Sequence, residues 1–135
     1  VQTFLPYPDF EETALILDRA RLGKQRVECN QILKALQNGG GWRRHPAVLM
    51  WRGYEGALRL YRNAIIREWV ARGYVNSMEL TRSGGRVRMP PWLGDQAFHA
   101  SHRSNLLRKN PVFYGQYGWE ERSDLPYVWP VRKYA

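Results

Sequence analysis

Four side chains near the start of the chain have the types and spacing of a reactive cluster. Arg21, Lys24, Gln25 and Glu28 recur at i, i+3, i+4 and i+7, which a helix gathers on one face. One carboxylate among two cations and an amide can move protons and hold phosphate in an open cleft. The same pattern on a solvated face is ordinary charge pairing. Arg26, beside the cluster, falls inside an apolar stripe, where an unpaired charge is costly. It either pairs with a carboxylate such as Asp18 or borders a cleft, and with Gln25 it tilts the reading toward a cleft.

Further candidates lie downstream. His99 and His102 are three residues apart and His45 stands elsewhere, with no cysteine or carboxylate in ligand spacing, so neither a metal nor another cofactor is expected. With Arg103, the two histidines suit phosphate contacts, which fix register without reading sequence, or they hold a loop. Residues 81–89 carry Arg82, Arg86 and Arg88 around Gly84 and Gly85 and read as a mobile basic loop able to clamp a nucleic-acid backbone. Arg108 and Lys109 lead into PVFYGQYGW at residues 111–119. Phe113, Tyr114, Tyr117 and Trp119 either cap the core or face an opened duplex. Pro111, Gly115 and Gly118 shape a loop and favour the second. Trp92 and Trp129 read as packing residues, and Cys29 as buried and inert.

The totals fit these candidates. Lys and Arg number 21 against 12 Asp and Glu, a net charge of +9 on 135 residues, which favours a polyanionic partner. A membrane surface draws the same charge, but no apolar run is long enough to span a bilayer and no signal peptide is visible. A single cysteine excludes an internal disulfide and fits a reducing, cytoplasmic setting, where a DNA-acting protein would associate with the nucleoid. Apolar residues make up 44%, enough for one core, so residues 1–135 are expected to form one domain that acts as a monomer.

The elements that must position these groups are helical. Residues 1–8 are apolar and broken by prolines, and should lie extended against the body. Asp9 with Glu12 has the spacing of a helix cap, and a helical pattern runs from there to Asn38, stopped by Gly39, Gly40 and Gly41. Gly23 makes this one helix with a weak point or two in series. Leu15, Leu22, Cys29, Leu33 and Leu36 share a stripe. A second long helix is expected from His45 and Pro46 to near Gly73, with Trp51, Tyr54, Leu58, Tyr61, Ile65 and Trp69 as a core flank. Arg52, Glu55, Arg59 and Arg62 form the solvated face beside it. Asp95 caps a third helix over 96–109. The fold class is therefore all-α: about three main helices, long loops and an irregular aromatic C-terminal tail.

Several of these stretches together resemble a known family. PVFYGQYGW is similar to the closing aromatic segment of the phage-type, endonuclease V-like pyrimidine-dimer DNA glycosylases. HPAVLMWRGYEGALRLYRNAIIREWVARGY (residues 45–74) resembles their central helix. The combination of RLGKQRVE (21–28), HPAVLMW (45–51) and FHASHRS (98–104) resembles a bacterial branch of the same activity.

The resemblance implies a DNA glycosylase with associated lyase activity and no metal or cofactor, acting on duplex DNA that carries a damaged pyrimidine, a cyclobutane dimer first. It implies that the chain's own α-amine, here that of Val1, attacks C1′ and forms an imine, after which β-elimination cuts the strand. α-Amines as a class ionise far closer to neutrality than lysine, which suits them to this role. The family places a glutamate, preceded by arginine, early in the first helix. An ungapped match puts Leu22 or Gly23 there, a departure from the family pattern; Glu28, the nearest carboxylate downstream and on one face with Arg21, Lys24 and Gln25, is taken for the acid/base role, with Asp18 the alternative. Arg21 and Arg26 would assist at the site, with Lys24 and Gln25 at the DNA. The rivals are excision of another modified pyrimidine and a non-catalytic DNA-binding protein of the same fold.

Overall fold

A computed structural model describes residues 1–39, 41, 43–82 and 85–131. Gly40 and Gly84, read above as a helix stop and a loop glycine, lie outside the described residues. The described residues form six α-helices and one 3₁₀ turn, with no strand. The three long helices are α2 (Arg19–Asn38), α4 (Glu55–Ala71) and α5 (Gln96–Lys109). The shorter ones are α1 (Phe10–Ile16), α3 (Pro46–Leu49) and α6 (Pro111–Tyr114), the last running into the 3₁₀ turn Gly115–Tyr117. The all-α expectation holds, with three main helices among shorter ones.

The caps that were legible in the sequence form. The Asp9 side chain accepts from Glu12 N at 2.9 Å, and the Asp95 side chain from Ala97 N at 3.0 Å. Pro46 opens α3 in the first turn, where its missing amide hydrogen costs nothing. Gly39, at φ +77°, ends α2.

Two expected long helices are each divided. The first breaks at Leu17 and Asp18, both extended, and not at Gly23, which sits inside α2. Leu17 is fully buried there, and the Asp18 carboxylate is fastened by Tyr114 and Arg21, so tertiary contacts outweigh helical propensity. Leu15 ends up on the outer side of α1, 63% exposed, and leaves the stripe that Leu22, Cys29 and Leu33 keep. The second breaks over residues 50–54, where Gly53 takes φ +83° and Trp51 turns inward to donate from Nε1 to Thr3 Oγ1 at 3.1 Å. Glu55 then accepts from Gly53 N at 3.2 Å, at the start of α4. Arg62 leaves the expected solvated face to bind Asn30, the Glu79 carbonyl and Thr81.

α4 packs across α2 and α1. Leu22, Cys29, Ile32, Trp51, Leu58, Tyr61, Ile65, Phe98 and Leu106 are fully buried at the centre, with Tyr54 and Trp69 of the aromatic flank packed against it. Each large side chain sealed this way contributes roughly 1.5–3 kcal/mol.

α5 is unlike the other long helices because the side chains it buries are largely polar. His99, Ser101, His102, Ser104 and Asn105 are all at or below 1% exposure. Their partners are two non-helical segments, one near each end of the described chain. The first is residues 2–6; the second, residues 122–128, hydrogen-bonds Ser101, Ser104 and Asn105.

Gly23 has a packing reason. A Cβ on it would lie 2.9 Å from Cζ3 of Trp69. That ring cannot yield easily: Nε1 donates to the Val75 carbonyl at 2.9 Å, Arg26 stacks on the ring at 4.4 Å, and Tyr74 packs against it at 4.4 Å. Overpacking should cost about 1–3 kcal/mol against the roughly 1 kcal/mol gained in helix propensity, so Gly23→Ala should destabilise the protein by up to about 2 kcal/mol net. Urea unfolding measures it, and a more stable variant would contradict this packing account.

Candidate active site

An extended segment has no ladder of its own, so its amides and carbonyls need outside partners once they are buried. Residues 2–6 find theirs in side chains. Gln25 Nε2 donates to the Gln2 carbonyl at 2.9 Å, and Gln25 Oε1 accepts from Phe4 N at 3.1 Å. The Tyr61 hydroxyl donates to the Phe4 carbonyl at 2.6 Å. Leu5 N donates to His102 Nδ1 at 3.0 Å, while His99 Nδ1 lies 2.7 Å from the Leu5 carbonyl. Arg103 donates to the Pro6 carbonyl at 2.7 Å and pairs with Glu121 at 2.5 Å.

The two histidines are fixed in complementary neutral forms. Gly94 N donates to His99 Nε2 at 2.9 Å, so the His99 proton sits on Nδ1 and points at the Leu5 carbonyl. His102 accepts at Nδ1 and therefore carries its proton on Nε2, which is buried without a partner. Burial holds both imidazoles below their ordinary range, His102 at about 3.

These contacts correct four expectations. His99, His102 and Gln25 are at or below 1% exposure and spend their polar atoms on the N-terminal segment, where no phosphate reaches them. Arg103 is committed to Pro6 and Glu121. All four act as fasteners, and the loop-holding alternative for the histidines is the one the geometry supports.

The fastened segment delivers Val1 to a cleft of about 460 Å³. Its wall includes Gln2 and Phe4 from the N-terminal segment, Arg21, Lys24 and Glu28 from α2, Lys109 from the end of α5, and His45, Tyr127 and Trp129. Glu28 is 8% exposed. Its Oε2 accepts from Gln25 Nε2 at 2.8 Å, and the Gln2 backbone hydrogen-bonds the carboxylate as well. Burial raises its pKa; the α-amine of Val1 is the strongest opposing influence and Lys24 the next. One partly desolvated carboxylate thus faces an amine in a cleft lined by cations. That arrangement can hold a phosphodiester and pass protons beside the amine.

Arg21 lines the cleft while paired with Asp18 at 3.2 Å. Asp18 is itself held by the Tyr114 hydroxyl, and its own amide donates back to that hydroxyl at 3.1 Å. Asp18 is thus a support for Arg21 and does not line the cleft.

Arg26 does not reach the cleft. It stacks on Trp69 and donates to Asn76 Oδ1 at 2.8 Å. Residue 26 lies one step of 100° from residue 25, which points into the core, so the helix turns it toward α4 instead.

The aromatic tail segment is also corrected. Tyr114 is fully buried and stacks on Trp119 at 5.6 Å, and Tyr117 donates to the Ile16 carbonyl at 2.9 Å. Phe113 packs edge-on against both tyrosines. This is the core-capping alternative: Tyr114 is sealed in the core, while Phe113, Tyr117 and Trp119 stay half-buried around it.

Lys109 lines the cleft, and Arg108 is exposed beside it with a hydrogen bond to Asn105. Arg82, Arg86 and Arg88 are exposed, and with Arg59 and Tyr54 they surround a second hollow of about 250 Å³ at the start of α4. Arg88 lies 5.0 Å over the Tyr54 ring. Asn63 anchors this loop at Thr81, donating to its carbonyl at 2.7 Å and accepting from its amide at 2.9 Å.

The sequence reading missed Tyr127, Trp129 and His45 as cleft residues. Tyr127 and Trp129 sit two apart between Pro126 and Pro130, a spacing that sends both side chains to one side of an extended chain. That signal was available. What the sequence lacked was the partner: His45 packs edge-on to Trp129 at 5.8 Å, and His102 edge-on to Tyr127 at 5.3 Å.

A family model described as pyrimidine dimer DNA glycosylase matches residues 1–82, more than half of the 135 residues. No curated protein and no solved structure matches the chain. No helix among the described residues is long and apolar enough to cross a membrane.

The neutral histidines give the fold a pH dependence of definite sign. Their folded pKa values lie below the ordinary 6.5, so the unfolded chain takes up protons first on acidification. The stability they contribute is whole above pH 6.5 and falls below it, by up to about 1.4 kcal/mol per pH unit for each histidine. Glu28, with its pKa raised, acts with the opposite sign between 4.5 and its folded pKa. Urea midpoints should therefore drop between pH 7 and pH 5, and His102→Gln should reduce the slope. An equal slope in that variant would remove His102 from the account.

Proposed function

The chain belongs to the pyrimidine dimer DNA glycosylase family, and on that footing we propose that it excises a damaged pyrimidine from duplex DNA through an imine formed on the α-amine of Val1. The supporting observation is that Val1 and Glu28 share one cleft and that the amine and carboxylate act on each other electrostatically. The reading takes Val1 as the first residue of the mature protein. The neutral amine bonds to C1′ as the glycosidic bond breaks and the base departs. Opening of the sugar ring gives the imine, and loss of a C2′ proton expels the 3′ phosphate. Glu28, whose pKa burial raises, gives a proton to the ring oxygen and later accepts one.

The rest of the cleft has matching roles in this proposal. Arg21, Lys24 and Lys109 neutralise phosphates on either side of the opened nucleotide. Tyr127 and Trp129 offer aromatic faces to a base taken out of the stack. The arginines of the 81–89 loop, with Arg108, grip the backbone away from the chemistry and contribute affinity without sequence preference. A cyclobutane pyrimidine dimer is the substrate that the family points to first.

Borohydride trapping tests this on two duplexes, one with a thymine dimer and one with an abasic site. A covalent adduct on the dimer duplex, lost when the N-terminal amine is blocked, is the expected result. An adduct on the abasic duplex alone keeps the amine chemistry and moves the substrate to another modified pyrimidine. Binding without any adduct sinks the imine and leaves a DNA-binding protein. Glu28→Gln should slow adduct formation by about 10²–10⁴-fold while retaining duplex binding. Arg86→Ala or Arg88→Ala should weaken binding to every sequence alike and lower the salt slope by about one; an unchanged slope takes that arginine out of the interface.

A further inference from the structure

We propose that Gln25 is the positioning residue that sets the Val1 amine and the Glu28 carboxylate against each other. The inference rests on the amine–glutamate reading above and names the group that would make it work.

The side-chain amide of Gln25 is 1% exposed and has a partner at every position. Nε2 donates one hydrogen to the Gln2 carbonyl at 2.9 Å and the other to Glu28 Oε2 at 2.8 Å. Oε1 accepts from Phe4 N at 3.1 Å and lies 2.9 Å from the Tyr61 hydroxyl, whose one proton it shares with the Phe4 carbonyl. Two acceptors on one end and donors on the other leave a single orientation of the amide. Gln25 thus grips the segment that carries Val1 at two residues, and with the same nitrogen it grips the carboxylate.

Among the described residues these two parts are also joined directly, by the hydrogen bond from the Gln2 backbone to the Glu28 carboxylate, but only Gln25 holds Gln2, Phe4 and Glu28 together. The histidines and Arg103 hold residues 5 and 6 but do not touch Glu28. Lys24 acts on Glu28 by charge alone and leaves the segment free. Glu28 also feels Tyr61 from α4, Cys29 from its own helix and Tyr127 from the C-terminal segment. Gln25 is the uncharged side chain that hydrogen-bonds Glu28, so its removal changes a hydrogen bond without changing the charge of the cleft. A donor on a carboxylate favours the ionised form, so losing it raises the pH at which Glu28 ionises. Losing the grip on Gln2 and Phe4 lets the amine drift. A misplacement of about 1 Å costs on the order of 10²-fold in rate.

Gln25→Met keeps the side-chain volume and removes every one of these hydrogen bonds. In the folded variant, the Glu28 carboxyl titration, followed by carbon NMR, should move up by about one pH unit. Single-turnover adduct formation on an abasic duplex should fall about 100-fold, with duplex affinity retained. A folded variant with an unmoved titration and an unchanged rate overturns the proposal, because a merely structural glutamine would leave both in place. If Gln25→Met does not fold, the unmodified protein decides. Its Gln25 amide protons should exchange slowly and shift with the Glu28 titration, and fast exchange with no such response overturns the proposal. If the unmodified protein forms no amine-linked adduct, the imine reading fails by itself. The titration then still decides whether Gln25 holds the carboxylate.

Discussion

The structure depends on how a buried extended segment satisfies its backbone. Residues 2–6 lie inside the protein without a neighbouring strand, and each unpaired amide or carbonyl there would cost about 1–3 kcal/mol. Gln25, Tyr61, His99, His102 and Arg103 supply the missing partners from three different helices. The segment therefore sits where those helices meet, and its first residue is carried to the mouth of the cleft. Without this fastening nothing would prefer one position of residues 1–6 over another.

The same helix that fastens this segment also fastens residues 122–128. Along α5, His99, His102 and Arg103 face the N-terminal segment, while Ser101, Ser104 and Asn105 hold the second. A helix used as a clasp on two sides has no wide apolar stripe. The clasp explains why five of its polar side chains are buried and why an amphipathic reading of α5 is uninformative. Val1 and the Tyr127–Trp129 wall meet in one cleft because both non-helical segments are pinned to a common element.

Charge is sorted by the same architecture. Arg26, Arg62, Arg72 and Arg103 are tied to aromatic rings, carbonyls or carboxylates of the scaffold. Lys24 and Lys109 stay on the cleft wall, joined by Arg21 through its pairing with Asp18, while Arg82, Arg86 and Arg88 stay on the surface. The net charge of +9 therefore overstates what a polyanion meets, since part of the basic surplus is structural. Within the cleft, desolvation of Glu28 and the pull of the amine and Lys24 work against each other, and desolvation is the larger, so the pKa is raised.

Local chemistry was legible in the sequence by itself: the helical class, the Asp9 and Asp95 caps, the proline start of α3, the core flank of α4 and the grouping of Arg21, Lys24, Gln25 and Glu28 on one helix. Each of these depends on spacing along the chain, which a sequence displays directly. The tertiary structure alone decided which polar side chains face water and which face the backbone of a distant segment. Gln25 and His102 read as surface groups because glutamine and histidine usually are, yet the partners that bury them lie 21 and 97 residues away. The breaks at Asp18 and at residues 50–54 have the same origin, since Tyr114 and Thr3 outweigh local propensity from across the molecule. Hydrogen bonding between remote parts of the chain leaves no period in the sequence, and here it is what brings the amine to the carboxylate.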